Sequence, residues 1–184
     1  MTETMKHFKL RTDSTIKVGL KTLYRIEATK EITKFGVKVG DLGGYIEKEE
    51  NLYGDAWVSC DAKVYGDAKV SEDALVSGDA EVYGNANVYG NAKVCGNAKV
   101  CGNAEVYGDK IEKENDLINI TSNAGSYNIT ITPKHIKIGC QYHSKTEWFN
   151  FTENEIRKMD GQKAVDWWKT WKPILISICD GLKR

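Results

Sequence analysis

Few residues in this chain are equipped for chemistry. Histidine occurs three times, at His7, His135 and His143, and cysteine five times. Cys140-Gln-Tyr-His143 places a thiol and an imidazole three residues apart. Those groups can form a nucleophile–base pair or supply two ligands to a metal. A zinc site needs two further ligands and a thiol hydrolase needs an oxyanion hole, and the spacing specifies neither. The spacing therefore favours a structural role, with His143 beside a helix start, over catalysis by Cys140 and His143. An odd number of cysteines argues for reduced thiols rather than a disulfide framework. No metal or cofactor is implied.

Composition narrows the classes further. Among 184 residues, Lys and Arg number 26 and so do Asp and Glu. That balance argues against a nucleic-acid partner. No apolar run approaches the ~20 residues of a membrane span. The N-terminal stretch MTETMKHFKLRTDST lacks the apolar core and cleavage site of a secretory signal, so the expected location is the cytoplasm.

Other candidate residues emerge once the elements that position them are laid out. From Leu52 the chain reads LYGDAW, VSCDAK, VYGDAK, VSEDAL, VSGDAE, VYGNAN, VYGNAK, VCGNAK, VCGNAE and VYGD. An aliphatic residue recurs every six positions from Leu52 to Val106, with Ala four places after each of the first nine. Each hexad alternates like a short strand, and in all but two Gly-Asp or Gly-Asn follows, residues that tolerate a left-handed corner. Strands of this length broken by identical corners coil, three sides to an 18-residue turn. Residues 52–105 thus make three full turns, with Val and Ala inside. A solenoid this short has two open ends of unpaired backbone, so caps and subunit contacts are expected.

Residues 18 apart share an outer face. One face carries Trp57, Ser59, Leu75, Ser77, Lys93 and Cys95; as the least polar, it is the candidate subunit or cap contact through Trp57 and Leu75. A second carries Lys63, Tyr65, Glu81, Tyr83, Lys99 and Cys101. Its Lys–Glu–Lys row predicts cross-strand ion pairs beside packed tyrosines. The sharper reading is a wall of Lys63, Tyr65, Tyr83 and Lys99 that binds a small anionic ligand between subunits. The third face includes Tyr53, Lys69, Asn87, Tyr89, Glu105 and Tyr107. Corner carboxylates stack, Asp55 over Asp73 and Asp61 over Asp79, as turn residues rather than a cation site. Asn85 and Asn103 can form an amide ladder.

The spacing of an aliphatic and a small residue resembles the hexapeptide repeat of left-handed β-helix proteins. That resemblance implies a homotrimer and, in many members, acyltransferase activity. Members of that kind use a histidine base, and carbonic anhydrases of the same architecture use histidine zinc ligands. Here no histidine lies between residues 46 and 111, so both activities are excluded. Ice-binding arrays need threonine, and residues 51–110 contain none.

Before the repeat, Thr15–Ala28 reads as a hairpin about Gly19, leading through a turn-rich stretch to Ile46. After it, Asp116–Thr121, Tyr127–Thr132 and His135–Gly139 alternate like three short strands. Ser144-Lys-Thr-Glu147 and Thr152-Glu-Asn-Glu155 fit the capping box that starts a helix. Asp160-Gly161 closes the second helix, and a third is predicted over about 162–179. Ala164, Trp167, Trp168, Trp171, Leu175 and Ile178 form one core-facing stripe on it, with a kink expected at Pro173.

The expected fold is mainly β, a left-handed parallel β-helix of about three to four coils. It has an N-terminal β cap over 1–50, the solenoid over 51–110 and a C-terminal α+β segment over 111–184. Thr22-Leu-Tyr-Arg-Ile-Glu-Ala28, Gly40-Asp-Leu-Gly-Gly-Tyr-Ile-Glu47, the VYGNA hexads and His135-Ile-Lys-Ile-Gly-Cys-Gln-Tyr-His143 together resemble a phage- and prophage-encoded hexapeptide-repeat family, whose members are often labelled polymer-forming. That family has no settled activity, and the Trp-rich end here departs from it. The resemblance and the histidine-free scaffold point to a trimeric, non-enzymatic, counter-defence protein in the host cytoplasm. It would sequester a nucleotide-like host signal at its subunit interfaces. The alternatives are a protein–protein inhibitor or trimeric adaptor acting through the C-terminal segment, and an enzyme centred on Cys140 and His143.

Overall fold

The computed structural model describes residues 6–121 and 127–182; the first five residues of the N-terminal stretch read above lie outside them. At its centre is a parallel β-solenoid of about four turns. Its strands are two or three residues long and stack in three columns. Trp57 pairs with Leu75, Leu75 with Lys93 and Lys93 with Lys110 in one column. Lys69, Asn87 and Glu105 align in another. Tyr45, Lys63, Glu81 and Lys99 align in the third. Every repeat Val and Ala lies inside with no measurable exposure.

The corners follow from the small residues that end each hexad. Gly84 sits at φ 72°, and a Cβ there would lie 3.0 Å from the Gly102 amide nitrogen one coil on. Both conformation and close stacking therefore select glycine. Cys60 and Glu72 occupy the equivalent corners at φ 57° and 60° without that advantage.

The solenoid is longer than the three turns counted from the strict hexads. Ile46 stacks on Val64, Leu52 on Val70 and Ile111 on Val94. The flanking coils keep the aliphatic position but replace the Ala and Gly corner with a 3-10 turn, at Glu49–Asn51 on entry and Glu114–Asp116 on exit. The two turns carry one motif, Ile46-Glu-Lys-Glu-Glu-Asn-Leu52 and Ile111-Glu-Lys-Glu-Asn-Asp-Leu117. Asn51, fully buried, accepts from the Lys48 amide at 3.0 Å and donates to the carbonyls of Gly66 and Ala68 at 3.1 and 2.8 Å. At the other end Asp116 accepts from the amides of Glu112 and Lys113.

The N-terminal hairpin, β1 (Phe8–Val18) and β2 (Lys21–Ala28), turns at Gly19 as expected, although β1 begins seven residues earlier than the pattern suggested. Strand β3 (Leu42–Ile46) pairs antiparallel with β2 and parallel with Lys63–Val64. The cap is thus continuous with one solenoid face as a six-stranded sheet.

Beyond the exit turn, Ile118–Ile120, Ile129–Ile131, His135–Ile138 and Gln141–Ser144 form an antiparallel sheet in that order. The fourth strand, absent from the sequence expectation, contains Gln141, Tyr142 and His143. Helix α1 (Lys145–Asn150) and helix α2 (Glu153–Gly181) each begin with the predicted capping box. Helix α2 breaks at Asp160–Gly161, where Gly161 takes φ 67°. Around Pro173 the backbone keeps helical dihedrals. The proline lies on the exposed side of the helix, where water can take up the freed carbonyl. Trp148, Trp168, Leu175 and the sheet isoleucines form a second core, with Trp167 and Trp171 half-buried at its edge.

Candidate ligand-binding face

The six-stranded sheet presents one outer row, Arg11, Arg25, Tyr45, Lys63, Glu81 and Lys99, each opposite the next. Next to it run Tyr65 and Tyr83. Their rings are stacked 5.1 Å apart and only 4° from parallel, an arrangement set by the 18-residue coil. Lys63 is 3.2 Å from Glu81, to which the Tyr65 hydroxyl also donates at 3.5 Å. Lys99 reaches Glu114 at 3.8 Å across an exposed surface. The Lys63–Glu81 half of the predicted ion-pair row is present beside the packed tyrosines, whereas Lys99 turns to Glu114 instead of Glu81; Lys63, Tyr65, Tyr83 and Lys99 lie on one surface.

Burial, then the Glu81 charge, pushes the Tyr65 phenol up. The Cys101 thiol hydrogen bond and burial push Tyr83 up to about 12. Both phenols are neutral donors near pH 7. Arg25 and Tyr45 extend the patch and were missed in the sequence. The Arg25 guanidinium lies over the Tyr45 ring at 5.0 Å and donates to its hydroxyl at 2.9 Å. The signal was available: Tyr45-Ile46 precedes Lys63-Val64 by one 18-residue turn.

The Trp57 and Leu75 surface is arranged differently. Trp57 is 2% exposed within the single chain. His7 packs beside its ring and bonds the Ala56 carbonyl at 2.8 Å. Lys34, from the loop that includes Ile32 and Val37, reaches Asp73 at 2.7 Å and Asn91 at 3.0 Å. Trp57 thus meets the chain's own N-terminal cap, and Leu75 is partly buried against the same core. The pairing of Asp73 with Lys34 fits the reading of the stacked corner aspartates as turn residues. Asn85 and Asn103 form the expected amide ladder at 3.1 Å.

Cys140 is exposed at the turn before the last strand. His143 packs edge-on against Trp148 and Phe151, at 5.3 and 4.9 Å between centroids. Gln141 contacts both, its amide nitrogen 3.8 Å from the Cys140 sulfur and its oxygen 3.3 Å from His143 Nε2.

A second cluster, not foreseen, joins the solenoid to the C-terminal sheet. The Asp109 side chain is fully buried at the last corner. Its Oδ2 accepts from the Thr132 hydroxyl, from His135 Nδ1 at 2.8 Å and from the Tyr142 hydroxyl at 3.3 Å, while Oδ1 has no partner among the described residues. Burial, followed by the Asp109 charge, pushes the Tyr142 phenol strongly up, keeping it a donor. The Tyr142 hydroxyl lies 2.5 Å from the Tyr107 carbonyl as well. Asp109 reads in sequence as one more corner residue, so nothing local distinguishes it from exposed corner carboxylates such as Asp61.

Comparison of the chain with protein-family models finds no matching family. Comparison with curated proteins finds no match. Among the described residues no helix is long and apolar enough to cross a membrane.

Proposed function

We propose that this chain is a non-enzymatic binding protein of phage type, a homotrimer that captures a nucleotide-like host signal on the face formed by Arg25, Tyr45, Lys63, Tyr65, Tyr83 and Lys99. The observation that carries this reading is the parallel Tyr65/Tyr83 stack on a rigid six-stranded sheet, with Arg25, Lys63 and Lys99 along the neighbouring row; Glu81 lies between the two lysines, so a bound phosphate must draw Lys63 away from it. Aromatic faces hold a base, and Lys and Arg neutralise phosphate. The face is flat, so a second subunit must close over the ligand to exclude water. The counter-defence role rests on the family resemblance.

Isothermal titration with cyclic di-AMP, and separately with ADP-ribose, tests the site. Binding should be lost in a Tyr65→Ala/Tyr83→Ala variant and weakened in Lys63→Gln, while Lys69→Gln on another face should bind normally. Binding that survives the double substitution overturns the assignment.

One observation favours a second reading, a protein adaptor acting through the C-terminal segment. Trp167 and Trp171 stack at 5.4 Å on helix α2, and Ile174, at 43% exposure, continues their side of the helix. Apolar side chains at that spacing suit a helix-in-groove partner.

A further inference from the structure

A polar cleft of about 400 Å³ runs along the seam between the solenoid and the C-terminal sheet. Asn85, Asn87, Asn103, Glu105, Thr130 and Lys137 line it, together with Tyr127. We propose that this cleft binds an uncharged polyhydroxylated ligand, a mono- or disaccharide.

The charge balance excludes an anion. Lys137 forms an ion pair with Glu105, whose carboxylate also accepts from the Tyr89 hydroxyl at 3.2 Å. The one cation in the lining is therefore committed, and a phosphate would have to break that pair. What remains is amide chemistry. Each asparagine side chain carries two donors and an acceptor oxygen. The Asn85 amide nitrogen donates to the Asn103 oxygen at 3.1 Å, and that of Asn87 makes a long 3.5 Å bond to the Asn85 backbone carbonyl. Those bonds leave donor and acceptor capacity on all three side chains. A sugar hydroxyl both donates and accepts, so it can pair with an amide in either direction.

The sequence places amides where this cleft needs them. Corner residues are Asp from Asp55 to Asp79 and Asn from Asn85 to Asn103. Asp67, one coil before Asn85 in the same column, pairs with Lys48 at 2.8 Å and does not line the cleft. The walls are rigid, since one belongs to the solenoid ladders and the Glu105 amide donates to the Thr130 hydroxyl at 3.2 Å on the other. Little ordering cost is therefore left to binding. The volume falls in the range of small-molecule sites and accommodates one or two sugar rings.

Saturation-transfer NMR on the full chain with the methyl glycosides of glucose, galactose, mannose and N-acetylglucosamine tests this. At least one glycoside should receive saturation at millimolar concentration. Its affinity should fall about tenfold in Asn103→Ala and in Asn87→Ala, one lost hydrogen bond each. Asn97→Ala, at an exposed corner outside the cleft, should bind normally, and all three variants should retain the wild-type circular dichroism spectrum. Inorganic phosphate should not compete. Absence of transfer to every glycoside, transfer unaffected by both cleft substitutions, or competition by phosphate overturns the proposal. None of these outcomes bears on the Tyr65/Tyr83 face.

Discussion

Asp109 is the fully buried link among the contacts that join the two cores, and removing it should separate their stabilities. In Asp109→Ala the Thr132 hydroxyl, His135 Nδ1 and Tyr142 hydroxyl lose one shared acceptor. Hydrogen bonds to a charged group contribute about 1.5–3 kcal/mol each. The Thr132 hydroxyl also lies 3.1 Å from the His135 carbonyl, His135 is partly exposed and regains water, and Tyr142 keeps the Tyr107 carbonyl, so each of the three bonds is lost only in part and the sum is nearer two bonds, about 3–6 kcal/mol. Deleting the unpartnered Oδ1 returns its desolvation cost of about 1–3 kcal/mol. The net destabilisation is about 2–4 kcal/mol. Asp109→Asn keeps an acceptor oxygen for the three donors but loses the charge and puts an NH2 where the buried Oδ1 has no partner, at a cost of about 1 kcal/mol. Four of the five tryptophans, Trp148, Trp167, Trp168 and Trp171, report on the C-terminal core. Urea unfolding followed by tryptophan fluorescence should shift earlier in Asp109→Ala, with Asp109→Asn in between. Far-ultraviolet circular dichroism of the solenoid should persist to higher urea. A change below about 0.5 kcal/mol in Asp109→Ala, or equal changes in both variants, would refute the reasoning.

Three further outcomes follow from the same geometry. Cys60→Gly relieves a left-handed corner at φ 57°; it should stabilise the chain by about 1 kcal/mol, raising the melting temperature by about 2–4 °C in calorimetry. Asn51→Ala strands the Lys48 amide and two carbonyls of the next coil, and should cost about 3 kcal/mol in urea unfolding. Burial holds the His7 imidazole below its ordinary 6.5; the unfolded chain takes up that proton first, so this contribution is full above pH 6.5 and is lost as pH falls through the folded value. Melting temperatures measured over that interval should fall, with a shallower slope in His7→Gln.

The solenoid was legible because its signal is local and repeated. Val and Ala at fixed spacing specify the interior, and Gly-Asp or Gly-Asn specifies the corner. The flanking coils escaped the hexad count because Glu49–Asn51 and Glu114–Asp116 replace the corner while Ile46, Leu52, Ile111 and Leu117 keep the aliphatic positions. The repeated Ile-Glu-Lys-Glu motif was the visible sign of both. The face of Lys63, Tyr65, Tyr83 and Lys99 could be listed from the 18-residue period alone. Its extension through Arg25 and Tyr45 needed the pairing of β2 and β3, a contact between distant segments. The covering of Trp57 by His7 and the convergence of Thr132, His135 and Tyr142 on Asp109 are likewise tertiary facts. Sequence spacing carries no trace of which corner carboxylate will be buried.

The central claim, a trimeric binding protein, is tested most directly by native mass spectrometry of protein purified gently from bacterial lysate. The account predicts a mass of three chains carrying a discrete additional mass, displaced when Tyr65 and Tyr83 are replaced by alanine. A monomer of 20.6 kDa with nothing bound would contradict it.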